Sequence, residues 1–263
     1  MSHGQTRFPV ANLIAMRDAC IDNGVGLVNE ATWLLDGDKP EFTRGFHIRS
    51  AFLAYTSLEE FSKAVQINNW IQVADHRNRP TLPTSISVSR VQAKSLTRHE
   101  FKFPRALRYW RTWRISAIPW MIEVNERLAA VYHRYQPFIE EVIPITAEDR
   151  KKLKRAHYLL TNNRTQEAVA IFHSVTHSLP DIPVSLREDL LYVNVDHSAI
   201  PRSRVRLRYA IGLVGIAAVM AEMMPTFIPP LSRDPLPESA VVTEVDGEVH
   251  ITLTFPGRIG PDS

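Results

Sequence analysis

From Val10 to Leu35 apolar side chains return at helical spacing through Leu13, Ile14, Ile21, Val25, Val28, Ala31 and Leu35, and the run stops at Asp36-Gly37-Asp38-Lys39-Pro40. That period and that stop predict a first helix. A second is predicted from about Thr43 to His76, ended by the prolines of the RNRPTLPTS stretch. On a helical wheel Ile48, Ala51, Ala54, Tyr55, Leu58, Phe61 and Val65 form its core stripe. The opposite side is not polar either. Phe52, Ile67, Trp70 and Ala74 share it with Glu59, Glu60 and Lys63, so three charges interrupt a second apolar stripe on a helix enclosed by neighbours.

Further helices are predicted over Ile86–Phe103 and Pro104–Tyr135, with Pro104 at a boundary or first-turn position. Others follow over Ala147–Leu160, opened by a capping signal at Thr146, and over Thr165–Ser178 and Val205–Met224. Leu190–Val195 fits a short strand or an irregular crossing piece. Prolines at 225, 229, 230, 235 and 237 predict an extended linker, and alternation on both sides of Asp246-Gly247 predicts a hairpin. A lone hairpin is marginal, so it should pack on the helices or pair in an oligomer. The expected fold is mainly α: a multi-helix bundle over 1–224, a Pro-rich linker over 225–239 and a small C-terminal β-hairpin over 240–256.

The single cysteine, Cys20, excludes an internal disulfide framework and any cysteine-based zinc site, and favours a reducing compartment, the cytoplasm by default. Arg17 and Asp18 interrupt the apolar N-terminal stretch, so no secretory signal is read there. The longest apolar run, Tyr209–Ala221, has 13 residues against the roughly 20 that span a bilayer, which predicts a core helix and no membrane partner. Net charge is only +3, but arginines outnumber lysines 24 to 7 and gather at Arg105, Arg108, Arg111 and Arg114 and at Arg202, Arg204, Arg206 and Arg208. The planar guanidinium suits phosphate, which brings RNA into view, although solvated helix faces account for the same clusters. No Walker loop, dinucleotide fingerprint, nucleophile elbow or zinc spacing occurs.

Glu59 and Glu60 both lie within reach of Lys63 on one helix face. Two carboxylates and one lysine leave a negative charge unmatched, and Arg49, Arg98, His99 and Lys102 are the candidate partners. The cluster reads either as a buried structural network or as a functional site, because both kinds of site perturb ionisation alike. His99 is the natural proton carrier and Lys102, three residues on, a fixed positive charge beside it. A His/Glu/Glu metal site is the weaker idea, since Lys63 and Lys102 would repel a cation. Two Arg-to-His spacings, Arg127 to His133 and Arg150 to His157, are as many as chance supplies and receive no role.

Residues Asn23, Arg49, Leu53, Ala54, Glu59, Glu60 and Lys63, followed by His99 and Lys102 and by the LREDLLYVNVD segment, resemble the signature of AbiV-type abortive infection proteins over roughly residues 11–196. The chain departs from that pattern at Ser50, at Ser62 and in a longer loop before Arg49. That family is similar to the wider HEPN group of helical bundles, many of them dimeric RNases of toxin and anti-phage systems. The resemblance implies an HEPN-like fold, phage resistance and a homodimer, with RNA, the ribosome or a phage protein as partner. Three expectations follow. One is a metal-independent endoribonuclease, needing no cofactor, in which His99 moves the proton, Lys102 or Arg98 holds phosphate, and Glu59, Glu60 and Lys63 complete the site, with Asn23 and Arg49 as binding residues. The second is a non-catalytic binding module whose charged network holds the bundle together, and a purely structural relative is the third.

Overall fold

The computed structural model describes residues 5–36, 43–75, 83–179, 182, 190, 206–228, 239–245 and 248–254. Strand β1 (Gln5–Pro9) runs directly into helix α1 (Val10–Asp36), and the Val10 amide donates to the Thr84 carbonyl as the chain turns. Helix α2 (Thr43–Asp75) returns along α1. Their contacts descend in order, Arg17 to Asn68, the Ser57 hydroxyl to the Gly24 carbonyl at 2.9 Å, and Arg49 to Glu30, so the two helices form an antiparallel hairpin. A Cβ on Gly24 would stand 2.5 Å from the Phe61 ring, and the missing side chain is what lets the helices approach there. As its wheel requires, α2 is enclosed on nearly every side.

The stretch expected to be one helix from Ile86 to Phe103 is instead strand β2 (Ser85–Ser89), helix α3 (Arg90–Ser95), a tight turn, and the start of helix α4 (His99–Ser116). Ser89 explains the division. Its side chain accepts from the Gln92 amide while the Gln92 side chain accepts from the Ser89 amide, a reciprocal cap that opens a helix immediately after a strand. Pro104 lies inside α4 rather than at its boundary. The second long expected helix is also broken, into the end of α4, α5 (Ile118–Val124) and α6 (Glu126–Val142), because Asn125 caps α6 by accepting from the Leu128 amide. Helices α7 (Ala147–Thr161), capped by Thr146, and α8 (Thr165–Ser178) pack as a hairpin over Ala156, Leu159 and Ala168.

Helix α9 (Leu207–Phe227) continues past the expected end at Met224 and includes Pro225, so the extended linker does not begin there. By length and composition it could cross a membrane, but 67% of its apolar window is buried within this fold, against α6, α2 and α1. A Cβ on Gly212 would meet the Phe138 carbonyl oxygen at 2.5 Å, and one on Gly215 the Tyr135 Cβ at 2.4 Å. Glycines at these two positions bring α9 and α6 backbone to backbone.

The expected C-terminal hairpin is present as β3 (Ser239–Val245) and β4 (Glu248–Thr254), antiparallel, with Val245 opposite Glu248. It does not stand alone. β3 pairs parallel with β2 from Ser85 to Ser87, and β2 pairs antiparallel with β1, giving a four-stranded sheet in the order β1-β2-β3-β4. Ile86, Val88 and Leu96 pack with Val10, Leu13, Ile67, Trp70 and Ile71 in a second core at that end, beside the larger helical core. Leu190–Val195 lies, except for buried Leu190, outside the described residues.

Candidate functional site

Helices α2 and α4 run side by side in the same direction, as three contacts rising together along both show: Glu59 with His99, Gln66 with Arg105, and Asn69 with Tyr109. Tyr55 and Phe103 stack with ring centres 3.8 Å apart, both fully buried. Tyr55 is one turn before Glu59 and Phe103 one turn after His99. This aromatic pair fixes the distance between the helices at the level where the two polar side chains meet.

There the imidazole Nδ1 of His99 lies 2.7 Å from Glu59 Oε2. The surroundings of the two are unequal, since the Glu59 side chain is 3% exposed and that of His99 49%. Glu59 Oε1 has no hydrogen-bond partner among the described residues. An ionised carboxylate only accepts, so Glu59 places the hydrogen on Nδ1 and leaves Nε2 as the basic nitrogen of the ring. His99 is also the first residue of α4, behind Arg98 in extended conformation. The positive end of the helix dipole therefore lies beside the imidazole, a position that favours an incoming anion.

At the next residue of α2, Glu60 pairs with Lys63 about one turn on, both largely enclosed. Behind them on α1 is Cys20, whose thiol hydrogen-bonds to Glu60. Burial pushes that thiol up to about 11, the Glu60 charge and hydrogen bond push the same way, and Lys63 and Lys102 pull against them. Lys102, only 6% exposed, thus belongs to the interior group around Cys20, Glu60 and Lys63. Counting charges, Lys63 and Lys102 balance Glu59 and Glu60. No charge on His99 is needed to neutralise the cluster.

The structure therefore brings Glu59, Glu60, Lys63, His99 and Lys102 into one region where α1, α2 and α4 meet, with the lysines facing inward and the histidine facing out. It does not bring in Arg49, which lies ten residues, about 15 Å of helix, before Glu59 and pairs with Glu30 on the surface. Arg98 is at the site's edge, exposed and paired with Glu100 at 3.1 Å. Asn23 is exposed on α1, three residues beyond Cys20.

Cys20 is a member of the cluster that the spacing of the chain did not point to. Its position one turn before Gly24, on the face of α1 that packs against α2, is the signal that places it there. A second polar group was also missed. Arg105, partly buried, donates to Gln66 Oε1 and, at 3.2 Å, to the Ser95 hydroxyl, which joins α4 to both α2 and α3. Its partners are uncharged, so burial lowers its pKa, and no carboxylate pairs with it among the described residues. The α2–α4 seam thus continues from the histidine toward a guanidinium that is held in place but not neutralised.

No family model, no curated protein and no solved structure matches this chain.

Proposed function

We propose that the chain is an anti-phage abortive infection protein in which Glu59 and His99 form the acid–base pair of a metal-independent endoribonuclease. The observation that carries the reading is the 2.7 Å contact between a buried carboxylate and a half-exposed imidazole at the start of a helix. Glu59 holds the ring and its tautomer. Nε2 takes the proton of a ribose 2′-hydroxyl as the 2′-oxygen bonds to the adjacent phosphorus. The bond from phosphorus to the 5′-oxygen breaks, and the imidazolium returns the proton to that oxygen, leaving a 2′,3′-cyclic phosphate and a 5′-hydroxyl. Arg98 and the N-terminus of α4 favour the phosphate, while Lys102, being buried, contributes its field rather than direct contact. The phage-defence part of the proposal rests on the resemblance of the Glu-Glu-x-x-Lys and His-x-x-Lys segments to AbiV-type proteins, as do an HEPN-like bundle and a homodimer, while a cytoplasmic setting rests on the single cysteine.

The test is degradation of single-stranded and structured RNA by purified wild type and His99→Ala, with melting temperatures and phage plating in parallel. Cleavage lost in a folded variant supports the enzyme; intact RNA with the wild type, on every substrate, removes it. A second reading is favoured by the interior placement of Glu60, Lys63, Lys102 and Cys20. There the charges hold three helices together, and the protein binds a phage protein, RNA or the ribosome without chemistry. Under that reading phage protection survives His99→Ala and is lost only with variants that melt.

A further inference from the structure

We infer that His173 and His177, one turn apart on the outer face of α8, form a two-imidazole chelate for a divalent transition-metal ion, separate from the Glu59–His99 region. Both side chains are exposed, and their Nε2 atoms stand 3.1 Å apart. The ring centres are farther apart, at 4.3 Å, so the rings close toward each other at their Nε2 ends. With metal–nitrogen bonds of about 2.0–2.1 Å, a 3.1 Å separation subtends an angle at the metal of about 95–102°. That lies between the octahedral and tetrahedral angles, so both nitrogens can reach one ion with little movement of the helix. Spacing of four residues on one helix face supplies the arrangement directly from sequence.

Without metal, the same separation suits one imidazole donating its N–H to the other. A metal ion replaces that shared hydrogen when both rings carry their hydrogen on Nδ1. Imidazole suits Cu²⁺, Ni²⁺ and Zn²⁺, in contrast to the oxygen sets preferred by Mg²⁺ and Ca²⁺. Among the described residues no group of three or more His, Cys, Asp and Glu side chains gathers, so water fills the remaining positions and the ion exchanges readily. The adjoining α7–α8 core is small, built on Ala156, Leu159 and Ala168, and an ion clamping one turn of α8 stabilises that hairpin.

The experiment uses the untagged full chain, stripped with EDTA and titrated with Cu²⁺ and Zn²⁺ by calorimetry, with Cu²⁺ electron paramagnetic resonance to count bound nitrogens. Wild type should bind one ion per chain through two nitrogens. Losing even a supporting partner of a ligand costs about 10- to 100-fold, so His173→Ala and His177→Ala should each weaken binding at least that much. The chain has ten histidines, and His133→Ala, at another exposed position, should leave the affinity unchanged. Wild-type binding no tighter than that of either single variant overturns the inference. His173→Gln gives the same readout with helix propensity retained, should the alanine variant melt.

Discussion

His99 and the pair His173 and His177 all sit on helices with solvent on one side, yet their ring nitrogens keep different company. His99 has Nδ1 against a carboxylate sunk in the α2 face, while His173 and His177 turn Nε2 toward each other at the surface. The first arrangement fixes a tautomer from the inside and makes Nε2 the basic nitrogen of the ring. The second brings two ring nitrogens within reach of one point outside and has no buried anchor. The same side chain is thus suited to proton transfer or to metal chelation according to which nitrogen the fold occupies and whether its partner is buried.

The comparison breaks most decisively at His99. In a ribonuclease His99→Ala should lower cleavage by about 10²–10⁴-fold, the usual contribution of a positioned acid–base group, whereas His177→Ala should leave the rate untouched. A rate equally sensitive to both would end the distinction. Next in size is Glu60→Ala, which strands Lys63 in an enclosed position and should destabilise the fold by about 3 kcal/mol in denaturant titration, with Lys63→Ala similar.

A smaller effect concerns Cys20. Its thiol is raised from 9.0 to about 11 in the folded chain, so above pH 9 the unfolded state sheds a proton that the folded state keeps. Stability from this group is complete below pH 9 and is lost as the pH rises through 11. Melting temperature should fall over that window, and less steeply in Cys20→Ala; alkylation of Cys20 at pH 8 should be slow until the protein is unfolded. The least effect is expected on the surface: in EDTA, His173→Ala and His177→Ala should each change stability by no more than about 0.5 kcal/mol. A larger loss would mean that the pair is a structural contact of α8.

The helices were legible where periodicity and punctuation agree. Both ends of α1, and α2 from Thr43 to within a residue of its last turn, follow from apolar spacing and from the Gly and Pro residues beyond them. The enclosed position of Glu59 on α2 was legible too, because a wheel reports what surrounds a helix on every side. Strands β1 and β2 were not, since five-residue segments carry too little period to compete with the helical runs beside them. The S-x-x-Q cap at Ser89 was the available signal for the second, and Asn125 marked the break before α6. Contact between Glu59 and His99, 40 positions apart, depends on how α4 lies along α2, which no local pattern encodes. Cys20 was read only for disulfide and zinc chemistry, and its place among the charges comes from helix packing alone.

The sheet order carries a consequence for the ends of the chain. Its two outer strands, β1 and β4, come from near the start and near the finish of the sequence, and the β3–β4 hairpin covers the side of β2 that β1 leaves open. Trimming the last 25 residues would uncover the backbone donors and acceptors of a strand whose Ile86 and Val88 are fully buried. A bare, apolar strand edge invites pairing between molecules. The C-terminal hairpin thereby acts as a solubility guard for the N-terminal half, and shortened chains should precipitate long before their helices unfold.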